Sequence, residues 1–317
     1  MKNFRYIIVM LLSLLYINGM MYMQEAHAQV SKEIQDQIKS YRAISDNGVK
    51  NVKLTGNVEW ITTRNGKYRA AIYYPKNIKP NEPLPVFFDI HGGGFVSGSL
   101  EKDEGMSRLF SDNLNICVIS LEYGLAPEHP YPQATDDIYD MINYFVKNSD
   151  KYKIDVNNMA IGGHSAGANL ATVTAMRAKA ENSFSFKCEI LDYPPLDLAK
   201  NPYTKPIIEG ALPPDRSVNY NASYCTPQQS VDPYCSPVFA KKEQLEGMPP
   251  AIILVCGIDS LKDEGIQYAN KLIDAGVEVT IRLFPNSRHG FTTQYGNEDA
   301  KQGHQMMLEG LKKYLNR

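Results

Sequence analysis

Residues 159–171 (Met-Ala-Ile-Gly-Gly-His-Ser-Ala-Gly-Ala-Asn-Leu-Ala) leave this chain few folding options. Met159, Ala160 and Ile161 read as the end of a buried strand, and 168–179 as a helix of good helix formers. Between them, Gly163-His164-Ser165-Ala166-Gly167 fits G-x-S-x-G. So abrupt a turn from strand to helix crowds the backbone, so the neighbours of the serine have to be small. Gly163, Ala166, Gly167 and Ala168 meet that demand. Ser165 is then held in a strained conformation with its hydroxyl above the sheet edge. The helix start offers N–H groups and a positive dipole end to any oxyanion formed there. The pentapeptide alone does not separate this reading from an ordinary strand-to-helix loop, because Gly, Ser and Ala are common.

The rest of the chain supplies the context. Strand-like runs at 58–62 and 68–74 flank the turn Asn65-Gly66, an antiparallel pair. Residues 84–90 are continuously apolar but for Asp89, as in a strand buried on both faces, and run into His91-Gly92-Gly93-Gly94-Phe95. A triple glycine there lets the backbone approach a ligand and turn its N–H groups outward. Helices are expected near 103–112, 136–146, 262–275 and 299–315, and further strands at 116–121, 188–193, 251–256 and 277–284. This βαβα alternation implies an α/β fold with a mainly parallel sheet and helices on both faces. Residues 194–237, rich in Pro, Tyr and Asn, break the pattern and read as an insertion at the C-terminal side of the sheet. With the amphipathic helix expected over 30–45, it is expected to form a small cap.

At the N-terminus, Lys2 and Arg5 precede an apolar stretch of about a dozen residues, too short to span a bilayer, and Ala26-His27-Ala28 forms a small-x-small site. Residues 1–28 are therefore expected to be a signal peptide cleaved after Ala28, with 29–317 a single exported domain, periplasmic or extracellular. Thirty-three Lys and Arg against 35 Asp and Glu, without a basic run, argue against a nucleic-acid partner or electrostatic membrane binding. Cys117, Cys188 and Cys256 sit in apolar strand-like runs and read as buried thiols. Cys225 and Cys235 lie in the polar insertion, where pairing in an exported protein is an open alternative. No metal-ligand spacing occurs.

A serine nucleophile needs a base, and there are only six histidines. His27 leaves with the signal, His91 belongs to the glycine loop, and His129 is wedged between Glu128 and Pro130. The side chain of His164 has to point away from that of Ser165, and His304 reads as a surface residue of the last helix. His289, in the loop after the last strand, remains as general base. Its carboxylate partner is expected to be Asp259, directly after an apolar strand; Asp263 and Glu264 are rivals one helical turn on. The order Ser165, Asp259, His289 is that of α/β-hydrolases. The oxyanion donors are expected to be the N–H groups of Ala166 and of the glycine loop.

With these residues in view, the chain resembles the hormone-sensitive-lipase family of α/β-hydrolase esterases, which include acetyl esterases and arylacetamide-deacetylase-like enzymes. The resemblance runs from about Leu84 onward and rests on the His91–Phe95 loop, on 123–132, on 163–171, on Asp259-Ser260-Leu261-Lys262-Asp263-Glu264-Gly265 and on His289-Gly290-Phe291. It implies an α/β-hydrolase fold with a two-part cap and no cofactor. The implied substrates are small-molecule acyl esters with short or medium chains; for an exported enzyme, acetylated carbohydrate is a candidate. The family triad falls on Ser165, Asp259 and His289, and its oxyanion loop on Gly92, Gly93 and Gly94. Two positions depart from the family pattern: His164 replaces the usual Asp or Thr, and Gly124 the usual Arg. Related hydrolases with His before the serine include feruloyl esterases and kynurenine formamidase, so an amidase or deacetylase is the alternative. A non-catalytic receptor on this fold is the third reading, disfavoured because no triad member is missing.

Overall fold

Strand β3 (Leu84–Ile90) is buried at every position, which only a central strand covered on both faces permits. The computed structural model describes residues 30–76, 82–294 and 296–315, so the expected signal peptide lies outside the described residues. β3 sits inside an eight-stranded sheet with β1 (Asn57–Thr62), β2 (Lys67–Tyr73), β4 (Cys117–Leu121), β5 (Ile154–His164), β6 (Cys188–Asp192), β7 (Ala251–Ile258) and β8 (Val279–Arg288). The order is β1-β2-β4-β3-β5-β6-β7-β8. β1–β2 and β2–β4 pair antiparallel, and the remaining pairs are parallel.

The helices divide between the two faces. Helices α3 (Gln133–Lys147), α4 (Ala166–Glu181) and α6 (Lys262–Asp274) bury Ile138, Leu170 and Tyr268 against one side with Phe88 and Ile161. Helices α2 (Leu100–Leu114) and α7 (Glu298–Tyr314) bury Phe110, Met307 and Leu311 against the other, with Phe87 and Ile190. Each large aliphatic or aromatic side chain so covered contributes about 1.5–3 kcal/mol. The last strand extends beyond the expected 284, through Pro285 to Arg288. β8 is an edge strand, where a proline breaks no ladder on its open side.

Helix α1 (Lys32–Val49) and helix α5 (Pro214–Tyr224) of the insertion meet above the C-terminal ends of the strands. Tyr41 and Tyr220 pack edge to face at 5.5 Å, with the Arg216 guanidinium 4.7 Å from the Tyr41 ring. Arg42 ties α1 to the body, donating to the carbonyls of Val96 (2.7 Å) and Ala126 (2.8 Å) and to Glu128. Asn169 of α4 donates to the carbonyls of Pro195 and Cys235, fastening both ends of the insertion to the helix behind Ser165. The stretch around Ile207 is not helical, and Ile207 is exposed. Cys225 and Cys235 are free buried thiols in hydrogen-bonding contact, not a disulfide.

Candidate active site

The turn from β5 to α4 is as tight as its composition demands. Ser165 has φ 54° and ψ −124°, a conformation that costs a non-glycine residue about 1–3 kcal/mol. A Cβ at Gly167 would lie 1.9 Å from the carbonyl oxygen of Ile90, and one at Gly163 would lie 2.3 Å from the same atom. The end of β3 thus runs against the turn, and only glycine admits it. Ser165 N–H donates to the Asp192 carbonyl (2.8 Å), joining the turn to β6.

Four strand ends deliver the remaining groups. His289, just after β8, places Nε2 2.8 Å from Ser165 Oγ. Its Nδ1 lies 2.7 Å from Oδ2 of Asp259, just after β7. A carboxylate only accepts, so the ring proton sits on Nδ1 and Nε2 is left to accept from the serine hydroxyl. Asp259 is buried, and its Oδ1 accepts from the Leu261 N–H (3.1 Å), which fixes the carboxylate plane. Tyr193 packs edge-on against the His289 ring at 4.8 Å, and its hydroxyl meets Thr292 Oγ1 (2.8 Å), which donates to Asp192. The rivals for the acid are elsewhere: Asp263 is exposed, and Glu264 is buried against Lys205 (2.5 Å) while accepting from the Leu196 N–H. The arrangement can pass a proton from Ser165 to His289 and hold the resulting imidazolium beside a carboxylate.

After β3 the glycine loop turns its amides toward the serine. Gly93 has φ 133°, and a Cβ there would lie 1.9 Å from the Ser97 carbonyl. Among the described residues, the N–H groups of Gly93, Gly94 and Ala166 have no acceptor in the protein. Gly92 departs from expectation: its N–H donates to His164 Nε2 at 3.3 Å and is already engaged. His164 points beneath the loop, not toward the cavity mouth, and its Nε2 also lies 3.3 Å from Asp103 Oδ1. Burial drives the His164 imidazole well below its ordinary pKa and the Asp103 carboxyl well above its own. His164 Nε2 is thus the acceptor that Gly92 uses.

Three other histidines are occupied. His91 stacks on Tyr123 at 4.4 Å, bonds through Nδ1 to the Gly92 carbonyl, and is pushed down to about 4 by burial. His129 Nδ1 meets Gln133. His304 is not a surface residue: it is buried on the inner face of α7, with Nε2 2.7 Å from the Thr292 carbonyl.

Ser165 and His289 open into a cavity of about 840 Å³ whose far walls come from α1 (Tyr41, Ile44) and the insertion (Pro213, Arg216, Tyr220). The wall-forming charges Lys102 and Arg216 were not marked by any local sequence signal, nor was Tyr193.

A family model for the alpha/beta hydrolase fold matches residues 87–293. A putative alpha/beta hydrolase of Acanthamoeba polyphaga mimivirus is 33% identical over 228 residues, 71% of this chain and 65% of that protein, just under two thirds of its length. An ethyl acetate hydrolase of Pseudomonas putida is 29% identical over 262 residues, 80% of this chain and 81% of the other. Among solved structures, a hyperthermophilic esterase from the archaeon Pyrobaculum calidifontis superposes with a TM-score of 0.77 at 31% identity, covering 92% of this chain and 97% of that one. Fold, strand-end chemistry and relatives agree: the chain belongs to the alpha/beta hydrolase fold family, among its hormone-sensitive-lipase-like carboxylic ester hydrolases.

Proposed function

We propose that this protein is an exported serine carboxylesterase that hydrolyses short-chain, acetyl-type esters through Ser165, His289 and Asp259. Ser165 Oγ attacks the ester carbonyl carbon as its proton passes to His289 Nε2. The oxygen that becomes negative faces the N–H groups of Gly93, Gly94 and Ala166. Each such donor contributes about 3 kcal/mol to the transition state. The carbon–oxygen bond to the alcohol breaks, and His289 returns its proton to that alcohol. A water then loses a proton to His289 and adds to the acyl carbon; the acid departs, and Ser165 recovers its proton. Asp259 holds the imidazole tautomer throughout. Helix α1 and the insertion act as a cap over the acyl-enzyme.

The observation that carries this reading is the unbroken bond sequence Ser165 Oγ to His289 Nε2 (2.8 Å) and His289 Nδ1 to Asp259 (2.7 Å), beside three unengaged amides. The acetyl preference draws support from the relative named an ethyl acetate hydrolase, and acetylated carbohydrate is one candidate substrate class. Export rests on the composition of residues 1–28 and is tested by N-terminal sequencing of the secreted or periplasmic protein, expected to begin at Gln29. Activity is tested with 4-nitrophenyl esters of two to twelve carbons and acetylated sugars. The wild type should prefer the shortest chains, and a folded Ser165→Ala should lose turnover. Full turnover by Ser165→Ala refutes the reading. Matched acetanilides should react far more slowly than the esters; equal rates would favour an amidase.

A further inference from the structure

The cavity above Ser165 is unevenly charged. Lys102, in the first turn of α2, and Arg216, in the first turn of α5, both line it. Neither has a carboxylate within ion-pair distance among the described residues. Arg216 uses Nε on the Tyr220 hydroxyl (2.5 Å) and lays its plane over Tyr41 and Tyr220, at 4.7 and 5.5 Å. Its charge is therefore oriented but not neutralised. The Lys102 ammonium makes no hydrogen bond among the described residues. Burial lowers its ammonium from the ordinary range, Asp103 opposes that, and Arg216 reinforces it. The same ammonium is felt by His164, next to Ser165 in the chain.

The acids of the same wall form no ion pair with either cation among the described residues. Glu101 is held by Arg69 at 2.9 Å on one oxygen and 3.2 Å on the other. Glu104 is turned away to Tyr73 (2.7 Å) and Thr55, whose neutral donors its two oxygens accept. Asp103 is buried beneath the loop, where its Oδ1 faces His164 Nε2 at 3.3 Å and, among the described residues, no ion pair reaches Lys102. Two half-desolvated like charges facing one cavity are unfavourable unless something negative joins them. An uncharged ester leaves that strain in place, and an anionic one relieves it.

We infer that the preferred substrates are esters that carry a carboxylate, seated between Lys102 and Arg216 while the ester carbonyl meets Ser165. This deepens the hydrolase reading and rests on it. The two cations select substrate by charge and take no part in bond breaking.

The test compares 4-acetoxybenzoate with 4-tolyl acetate, and 4-nitrophenyl hydrogen glutarate with 4-nitrophenyl valerate. These pairs place the anion on the alcohol and acyl side respectively. Each is measured with wild type, Lys102→Met, Lys102→Arg and the double variant Lys102→Met/Arg216→Gln. The readout is the ratio of kcat/KM, anionic over neutral, within each pair. In at least one pair the ratio should fall about tenfold in Lys102→Met and at least tenfold further in the double variant, while Lys102→Arg keeps it within about threefold. The fall should reside in KM, because ground and transition states carry the same anion. Raising the salt should lower the wild-type ratio. Ratios that do not move in either pair overturn the inference, as does a fall in Lys102→Arg equal to that in Lys102→Met. Wild type inactive on all four esters would strike the hydrolase reading itself and take this inference with it.

Discussion

Asp259→Asn is the perturbation whose outcome the geometry specifies most closely. The carboxylate has two distinct neighbours: Oδ1 accepts from the Leu261 N–H at 3.1 Å, and Oδ2 faces His289 Nδ1 at 2.7 Å. Asparagine is isosteric, but one of its two positions is a donor. The Leu261 N–H demands an acceptor, so the amide oxygen takes the Oδ1 position and the NH2 faces His289. Nδ1 must then accept, which moves the ring proton to Nε2. That nitrogen now points a hydrogen at Ser165 Oγ and cannot take the hydroxyl proton. A wrong tautomer of this kind costs on the order of 10⁴ in kcat, about 5 kcal/mol of barrier. The assay is steady-state hydrolysis of 4-nitrophenyl acetate, with circular dichroism to show that the variant is folded. Asp263→Asn, at the exposed rival, should stay within about twofold. A folded Asp259→Asn that keeps more than a tenth of wild-type kcat would refute the reasoning.

Gly167→Ala should abolish soluble expression or lower stability by more than about 4 kcal/mol, because its Cβ would sit 1.9 Å from the Ile90 carbonyl; urea unfolding measures it. Glu189, fully buried in β6, is pushed by burial up to about 8. A carboxyl raised in the folded state keeps its full stabilising contribution below about 4.5 and loses it as pH climbs to about 8. Glu189→Gln should remove that part of the stability slope, read as unfolding midpoints from pH 4.5 to 9; an unchanged slope refutes it. Arg42→Met should free α1, since it removes two bonds to backbone carbonyls worth about 1 kcal/mol each. Amide exchange over residues 32–49 should speed up at least tenfold, and unchanged protection would show that other contacts hold the helix.

The groups that meet at Ser165 were legible because each carries a local signal. A turn that admits only small residues marks the serine, a glycine run after a buried strand marks the amides, and a polar residue directly after an apolar run marks Asp259. His289 followed from exhausting the alternatives. Contacts set by packing were not legible. Nothing within several residues of His164 points to Asp103, 61 positions away (164 − 103), or shows that Gly92 would spend its N–H there. The meeting of Lys102 with Arg216 depends on where the insertion lands, which its irregular sequence does not encode locally. His304 is different, because its burial was readable. Ala300, Gly303, His304, Met307 and Leu311 form one inward stripe at helical spacing, and the histidine belongs to it. A proline usually ends a strand, but the edge position of β8 relaxes that rule at Pro285.

The central claim is that one alcohol, Ser165, carries the acyl group. Quenching the wild type with acid during turnover of 4-nitrophenyl acetate, then digesting it for mass spectrometry, tests this directly. A single acetyl mass on the peptide that contains Ser165, absent from Asp259→Asn, is the expected result. Turnover with acetyl on another residue and Ser165 unmodified would contradict the account.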